Sequence, residues 1–436
     1  MTIFKTGVPS MREIKLNPDI LGLKESATLK INQYVKDARA EGREMHHFGF
    51  GQSPFPVHPR IVDKLKEHAH EKDYLPTQGL PALRDAIAEY YGTKLNYSIK
   101  QENVIIGPGS KELIFQALYT LQGTVLIPAP SWVSYGPQVN IRGHHITRVM
   151  TSKEYDYKLE ANELDRVCET LMDDQKILII NSPNNPTGSV YGEKEIQEIV
   201  EVCRKHNVII ISDEIYGLID WTGEAKKGFF HYYPERTLIS GGLSKAHSAG
   251  GYRLGYLVVP SEMQSLTKAI VSLISETFSS VCAPVSYAAI EAFKGHQDVD
   301  DYVLNCKKIH EAVGGYIHKR MTAMGILLPA PQGAFYLFPD FENFREKLAK
   351  KHGVKTSDDL AETLLKHADS AFLPGSDFYY PDDRLCLRGS TVDYEGEGVY
   401  IEAKKANFEM NDEFIQNHCP SIDKGLDKIE AFLKSL

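Results

Sequence analysis

Lys245 sits in Gly241-Gly242-Leu243-Ser244-Lys245, a loop of small residues, and Arg253 follows eight positions later, framed by Gly251 and Gly255. A primary amine held in such a loop is a nucleophile toward a carbonyl carbon and, once freed, a base. A nearby guanidinium suits an anion such as a phosphate. Asp213 and Tyr216 close the apolar run that starts at Val208, and Asn185 stands 28 residues before Asp213 in Asn184-Asn185-Pro186-Thr187-Gly188. An asparagine side chain donates a hydrogen bond to an oxyanion without adding charge. Gly107-Pro108-Gly109-Ser110-Lys111 follows another apolar run. A tight glycine loop leading into a helix offers unpaired N–H groups and partial positive charge, which is a phosphate site in physical terms. The loop is neither a dinucleotide fingerprint nor a Walker loop.

The elements that must hold these groups alternate. Short apolar runs over 103–106, 124–127, 176–180 and 208–216 read as strands, the third buried on both faces. Helices are expected over 112–121 and 193–206, the latter with Ile196, Ile199, Val200 and Cys203 on one face. Short β-type segments at 237–240 and 256–259 flank the lysine loop. In an open α/β sheet, ligands gather at the C-terminal strand ends, where Asn185, Asp213 and Lys245 all fall. Outside this rhythm, 25–41 reads as a helix, Pro81 fits the first turn of a helix running through Ile87 and Tyr90, and 261–292 reads as mostly helical. A long helix is expected over 298–321. Pro128 to Tyr135 forms a proline-framed turn after a strand. Its Trp132 suits either a partly buried core or a face for a flat heterocycle. The loop Phe48 to Pro56 is shaped by two glycines and two prolines.

At 436 residues the chain exceeds one small core, so two domains are expected. The balance of 49 Lys and Arg against 58 Asp and Glu gives −9, which argues against a general nucleic-acid binder. Six scattered cysteines with no C-x-x-C pair point to thiols in a cytoplasmic protein. Met1 to Ser10 has no apolar leader, and no run approaches the roughly 18 residues of a membrane span.

In order, these motifs resemble those of the class I/II aminotransferases, the fold-type I pyridoxal-phosphate enzymes, over residues 48–396. Tyr74 to Arg84, Gly333-Ala334-Phe335-Tyr336 and Pro374-Gly375-Ser376-Asp377-Phe378 resemble further family segments. The resemblance implies an α/β large domain with a mostly parallel seven-stranded sheet flanked by helices, and a smaller α+β domain built from both chain ends. On this reading 1–47 is an arm and part of the small domain, 48–310 the large domain and 311–436 the small one. It implies pyridoxal 5′-phosphate as cofactor, joined to Lys245 as a Schiff base, and transfer of an amino group between an L-amino acid and a 2-oxo acid. Asp213 would face the pyridine nitrogen, Asn185 and Tyr216 the phenolic oxygen, and Trp132 the ring. Gly109, Ser110 and Arg253 would hold the phosphate, with Lys111 beside it. Gly51 would lie over the substrate, and a late arginine would take its carboxylate. Arg384 and Arg388 compete for that role, and Arg388, ahead of Val392-Asp393-Tyr394-Glu395-Gly396, is preferred. Tyr74 would reach the partner's phosphate across a homodimer; taken alone it reads as packing. The family's first serine of S-x-S-K is replaced by Gly242, leaving Ser240 or Ser244 to compensate. The same motifs would serve a β-elimination lyase or an aminocyclopropane-carboxylate-synthase-like enzyme. A regulator that merely senses the cofactor would be expected to carry an added basic domain.

Overall fold

The computed structural model describes residues 14–23, 27–144, 146–223 and 227–436. Met1 to Ser10 and Glu25, at the start of the first expected helix, lie outside the described residues. The apolar runs become seven strands: β1 (Val104–Gly107), β2 (Thr124–Ala129), β3 (Ile146–Met150), β4 (Lys176–Asn181), β5 (Val208–Asp213), β6 (Thr237–Gly242) and β7 (Gly255–Val258). Their order across the sheet is β1-β7-β6-β5-β4-β2-β3, and only β7 runs antiparallel to its neighbours. Every residue of β4 and β5 is buried, as expected where helices cover both faces.

The register positions the chemistry. Asn181 pairs with Asp213, and Asp213 pairs with Ser240, so three parallel strands end level with one another. Two strand ends differ from expectation. The run from Val208 stops at Asp213 rather than Tyr216, because the Asp213 carboxylate accepts the Ile215 N–H at 3.2 Å and turns the chain. β2 continues past Pro128 to Ala129; beyond Leu126 it pairs only with β3, and a strand bonded on one side tolerates a residue without an N–H.

A second unit covers the strand ends. Strands β8 (Tyr336–Leu337), β9 (Leu373–Pro374) and β10 (Leu387–Ser390) form an antiparallel sheet ordered β9-β10-β8. The helices Gln297–Ala323 and Pro420–Ser435 pack on it around Phe335, Tyr316, Leu426 and Ile429. Both chain ends meet here. His46 pairs in parallel with Ser370, and Ser390 N–H donates to the Phe48 carbonyl at 2.6 Å. Arg39, in the helix Ala27–Ala40, grips both oxygens of Asp393 at 2.9 and 2.8 Å. The expected division between 310 and 311 falls inside the helix Gln297–Ala323. Among the described residues no helix is long and apolar enough to cross a membrane, and all six cysteines are unpaired.

Candidate active site

A cavity of about 440 Å³ lies where the second unit covers the strand ends. Gly51, Ser110, Lys111, Trp132, Asn185, Asp213, Tyr216, Lys245, Arg253 and Arg388 all line it. Of the other two expected residues, Gly109 lies against Arg253, and Tyr74 is 94% exposed and outside the cavity. Arg384 is exposed as well and does not line the cavity, so of the two competing arginines only Arg388 faces it.

At the floor, Asp213 is buried with one carboxylate oxygen accepting the Tyr135 hydroxyl at 2.8 Å. Asn181 donates to the Asp213 carbonyl at 2.7 Å and, through its own oxygen, accepts the Asn185 N–H at 2.8 Å. Burial raises the Asp213 pKa to about 6, against the lowering effect of the Tyr135 and Ile215 hydrogen bonds. The Asn185 side-chain oxygen is buried and without a partner, so the cavity offers an unsatisfied amide beside Asp213.

Lys245 leaves β6 three residues beyond Gly242, and its Nζ donates to the Gly51 carbonyl at 2.8 Å. The same nitrogen lies 5.5 Å from the ring centres of Tyr216 and Phe335. Gly242 has a packing reason: a β-carbon there would lie 2.9 Å from the Leu254 carbonyl oxygen and 3.1 Å from Gly255 Cα, so serine does not fit this backbone. Of the two serines considered as replacements, Ser244 lines the cavity, whereas Ser240 is fully buried outside the lining.

At another wall of the cavity, Gly109 takes a φ of 97°, open to glycine, and starts the helix Ser110–Thr120 with no side-chain cap. The Arg253 guanidinium lies against Gly109 and donates to the carbonyls of Pro108 at 3.2 Å and Gly250 at 3.0 Å. Uncapped N–H groups, the Ser110 hydroxyl and a guanidinium thus converge. Lys111 places Nζ 5.0 Å from the Trp132 ring, and burial, then the charges of Arg253 and Lys245, lowers its pKa.

The second unit contributes Tyr336 and Arg388 to the cavity. Arg388 is 2% exposed, donates to the Gly49 carbonyl and keeps its Nε without a partner. Its Cζ lies 4.8 Å from the Tyr336 ring and 5.3 Å from that of Phe378. Burial lowers its pKa. Thr28, Leu29, Phe50 and Gln52 complete the rim. Sequence reasoning assigned no role to Tyr336, which bonds the Tyr216 hydroxyl at 2.8 Å, or to Tyr135 and Asn181, which set the Asp213 environment. Tyr336 was visible in the Gly333-Ala334-Phe335-Tyr336 stretch, but only the fold shows which way its ring points.

The family model "Aminotransferase class I and II" matches residues 43–395. An aspartate aminotransferase of Geobacillus stearothermophilus is 34% identical over 390 residues, covering 87% of this chain and 96% of that one. A probable aspartate/prephenate aminotransferase of Aquifex aeolicus is 34% identical over 375 residues, covering 82% of this chain and 90% of that one. The fold is similar to that of Thermus thermophilus aspartate aminotransferase with maleate, with a TM-score of 0.82 at 24% identity, covering 96% of this chain and all of that one.

Proposed function

The chain belongs to the class I and II aminotransferases, and we propose that its amino donor is an acidic amino acid of the aspartate type, with Lys245 as the reacting amine. The observation that carries this reading is that two cations besides Lys245 and Arg253 line the cavity: buried Arg388, and Lys111 beside Trp132. Arg388 suits an α-carboxylate, because its planar fork offers parallel N–H donors. Lys111 would take the second carboxylate, and an anion there relieves the repulsion from Arg253 and Lys245 that, after burial, lowers its pKa. The names of the relatives from Geobacillus stearothermophilus and Aquifex aeolicus support the same substrate class.

The residues present fit pyridoxal 5′-phosphate. The Asn185 side-chain N–H2 can donate to a phenolic oxygen, the uncapped helix start with Arg253 suits a phosphate, and the Trp132 face a flat ring. When bound, this cofactor supplies an electron-accepting ring that stabilises charge developing at the substrate's α-carbon. The chain's own residues do the rest. Asp213, held ionised by Tyr135 and the Ile215 N–H, would face the ring nitrogen and keep it protonated. Tyr216 would donate to the phenolic oxygen. Lys245, swung from the Gly51 carbonyl, would carry the proton away from the α-carbon and return it. Phe50, Leu29 and Trp132 keep bulk water from the reacting atoms. We place the enzyme in the cytoplasm as a homodimer, the nearly free Tyr74 ring supporting a reach into the neighbouring subunit's site.

The test is the absorption of the pyridoxal-phosphate-loaded protein. L-aspartate should bleach the visible band, a 2-oxo acid should restore it, and oxaloacetate should accumulate. Release of sulfide, ammonia and pyruvate from L-cysteine with the band intact would instead establish a β-elimination lyase. L-alanine bleaching the band as well as L-aspartate would refute the acidic substrate.

A further inference from the structure

Tyr336 stands where three groups of the site meet. Its hydroxyl lies 2.8 Å from that of Tyr216. Its ring supports the Arg388 guanidinium, with Cζ 4.8 Å from the ring centre. The same hydroxyl fills the space beside Gly51, so that any β-carbon at 51 would collide with it, and the Gly51 carbonyl accepts from Lys245 Nζ. The side chain is 1% exposed, and its backbone pairs in register with Ser390, two positions beyond Arg388 on β10. Tyr336 is therefore fixed to the strand that carries the guanidinium while touching the phenol at the other end of the cavity.

A phenol has one hydrogen to donate and lone pairs to accept with. If Tyr216 spends its hydrogen on a ligand in the cavity, Tyr336 is placed to donate to the Tyr216 oxygen. A hydroxyl that accepts one hydrogen bond donates a stronger one. Asp213, Lys245 and Arg388 are the charged groups facing this pair. We propose that Tyr336 is a positioning residue that ties together the two ends of the site: it sharpens Tyr216 as a donor to the cofactor's phenolic oxygen and holds Arg388 flat for the substrate carboxylate. This rests on the aminotransferase reading and assigns to one side chain two separable duties, one for the hydroxyl and one for the ring.

The test compares Tyr336→Phe, which removes the hydroxyl alone, with Tyr336→Leu, which removes both. Two readouts are taken on the pyridoxal-phosphate-loaded enzyme: the pH midpoint of its visible absorption change, and the dissociation constant of maleate, a non-reacting dicarboxylate. In Tyr336→Phe the midpoint should rise by about half a pH unit, because a weaker donor disfavours the anionic oxygen. Maleate should bind within about twofold of wild type, since the ring under the guanidinium remains. Tyr336→Leu should show the same rise and bind maleate about tenfold more weakly. Should the leucine variant fail to fold, Phe378→Leu removes the other ring near Arg388 and should weaken maleate with an unmoved midpoint. A midpoint unchanged in Tyr336→Phe, equal loss of maleate affinity in the phenylalanine and leucine variants, or a midpoint that moves in Phe378→Leu would each overturn the proposal. A wild-type protein with no pH-dependent visible band would refute the aminotransferase reading itself, and the proposal with it.

Discussion

Asp213 is the residue whose replacement separates function from stability. Its pKa rises from 3.8 to about 6 on folding, chiefly through burial. The sign follows from proton linkage. Below about pH 3 the carboxyl is mostly protonated in both states and costs almost nothing. As pH climbs, the unfolded chain ionises first, and stability falls until the folded group ionises too. Above that the whole difference stands, about 3 kcal/mol at pH 8 and about 1 kcal/mol at pH 4.5. Asp213→Asn keeps the shape and cannot ionise. Its amide oxygen can accept the Ile215 N–H, and its nitrogen can donate to the Tyr135 oxygen, so the bonds at 3.2 and 2.8 Å both keep partners. At about 2.1 cal/mol/K of unfolding entropy per residue, 3 kcal/mol corresponds to a rise of about 3 °C in the unfolding midpoint. The assay is thermal unfolding of the cofactor-free protein. The variant should be more stable by about 3 °C at pH 8 and by about 1 °C at pH 4.5, while transaminase activity collapses. Saturating pyridoxal 5′-phosphate should raise the wild-type midpoint more than the variant's, because only an anion gains from a cationic ring nitrogen. Equal midpoints at pH 8, or the same gain at both pH values, would refute this account of Asp213.

Three further changes test other parts of the site. Lys111→Met should lower kcat/KM for L-aspartate by about 10- to 100-fold, the worth of one charge-assisted hydrogen bond, and change L-alanine by less than about threefold; equal losses on both substrates would remove Lys111 from side-chain recognition. Arg388→Lys should cut kcat/KM for both amino acids by a similar factor of about 10 to 100, since a lysine cannot replace parallel guanidinium donors. Gly242→Ser restores the family's usual residue but should destabilise the protein by about 1–3 kcal/mol in urea unfolding, because its β-carbon meets the Leu254 carbonyl at 2.9 Å; a tighter cofactor dissociation constant at unchanged stability would contradict that.

The parts of the site legible in the sequence are those fixed by local chain geometry. Asn185, Asp213 and Lys245 each follow an apolar run, and the alternation of runs and helices forces such positions to one edge of a parallel sheet. Gly109 announces its own backbone, since the loop it ends needs a φ of 97°. Interactions that span the chain were not legible. The hydroxyl of Tyr135 meets Asp213 across 78 positions, and that of Tyr336 meets Tyr216 across 120. Nothing in the composition of a short window marks one tyrosine among 23 as bonded to another. The same holds for Gly242: its substitution was visible, but the cause lies in β7 passing within contact distance of β6. The Val392 to Gly396 segment already favoured Arg388 over Arg384 in the sequence, and in the fold Arg388 is carried inward while Arg384 is left in solvent.

The order in which the chain emerges during synthesis has a consequence for this architecture. The central sheet is complete once Val258 has been made, and it can form while the remaining residues are still being translated. The arm cannot settle then. His46 waits for Ser370, Phe48 for Ser390, and Arg39 for Asp393. A segment translated before the sheet is thus among the last to dock, and Arg388 arrives in the same closing event. On the proposed reading, a nascent chain would have the Gly109, Ser110 and Lys245 groups in place while Arg388 is still missing, so cofactor capture on the ribosome would precede any chance of turnover.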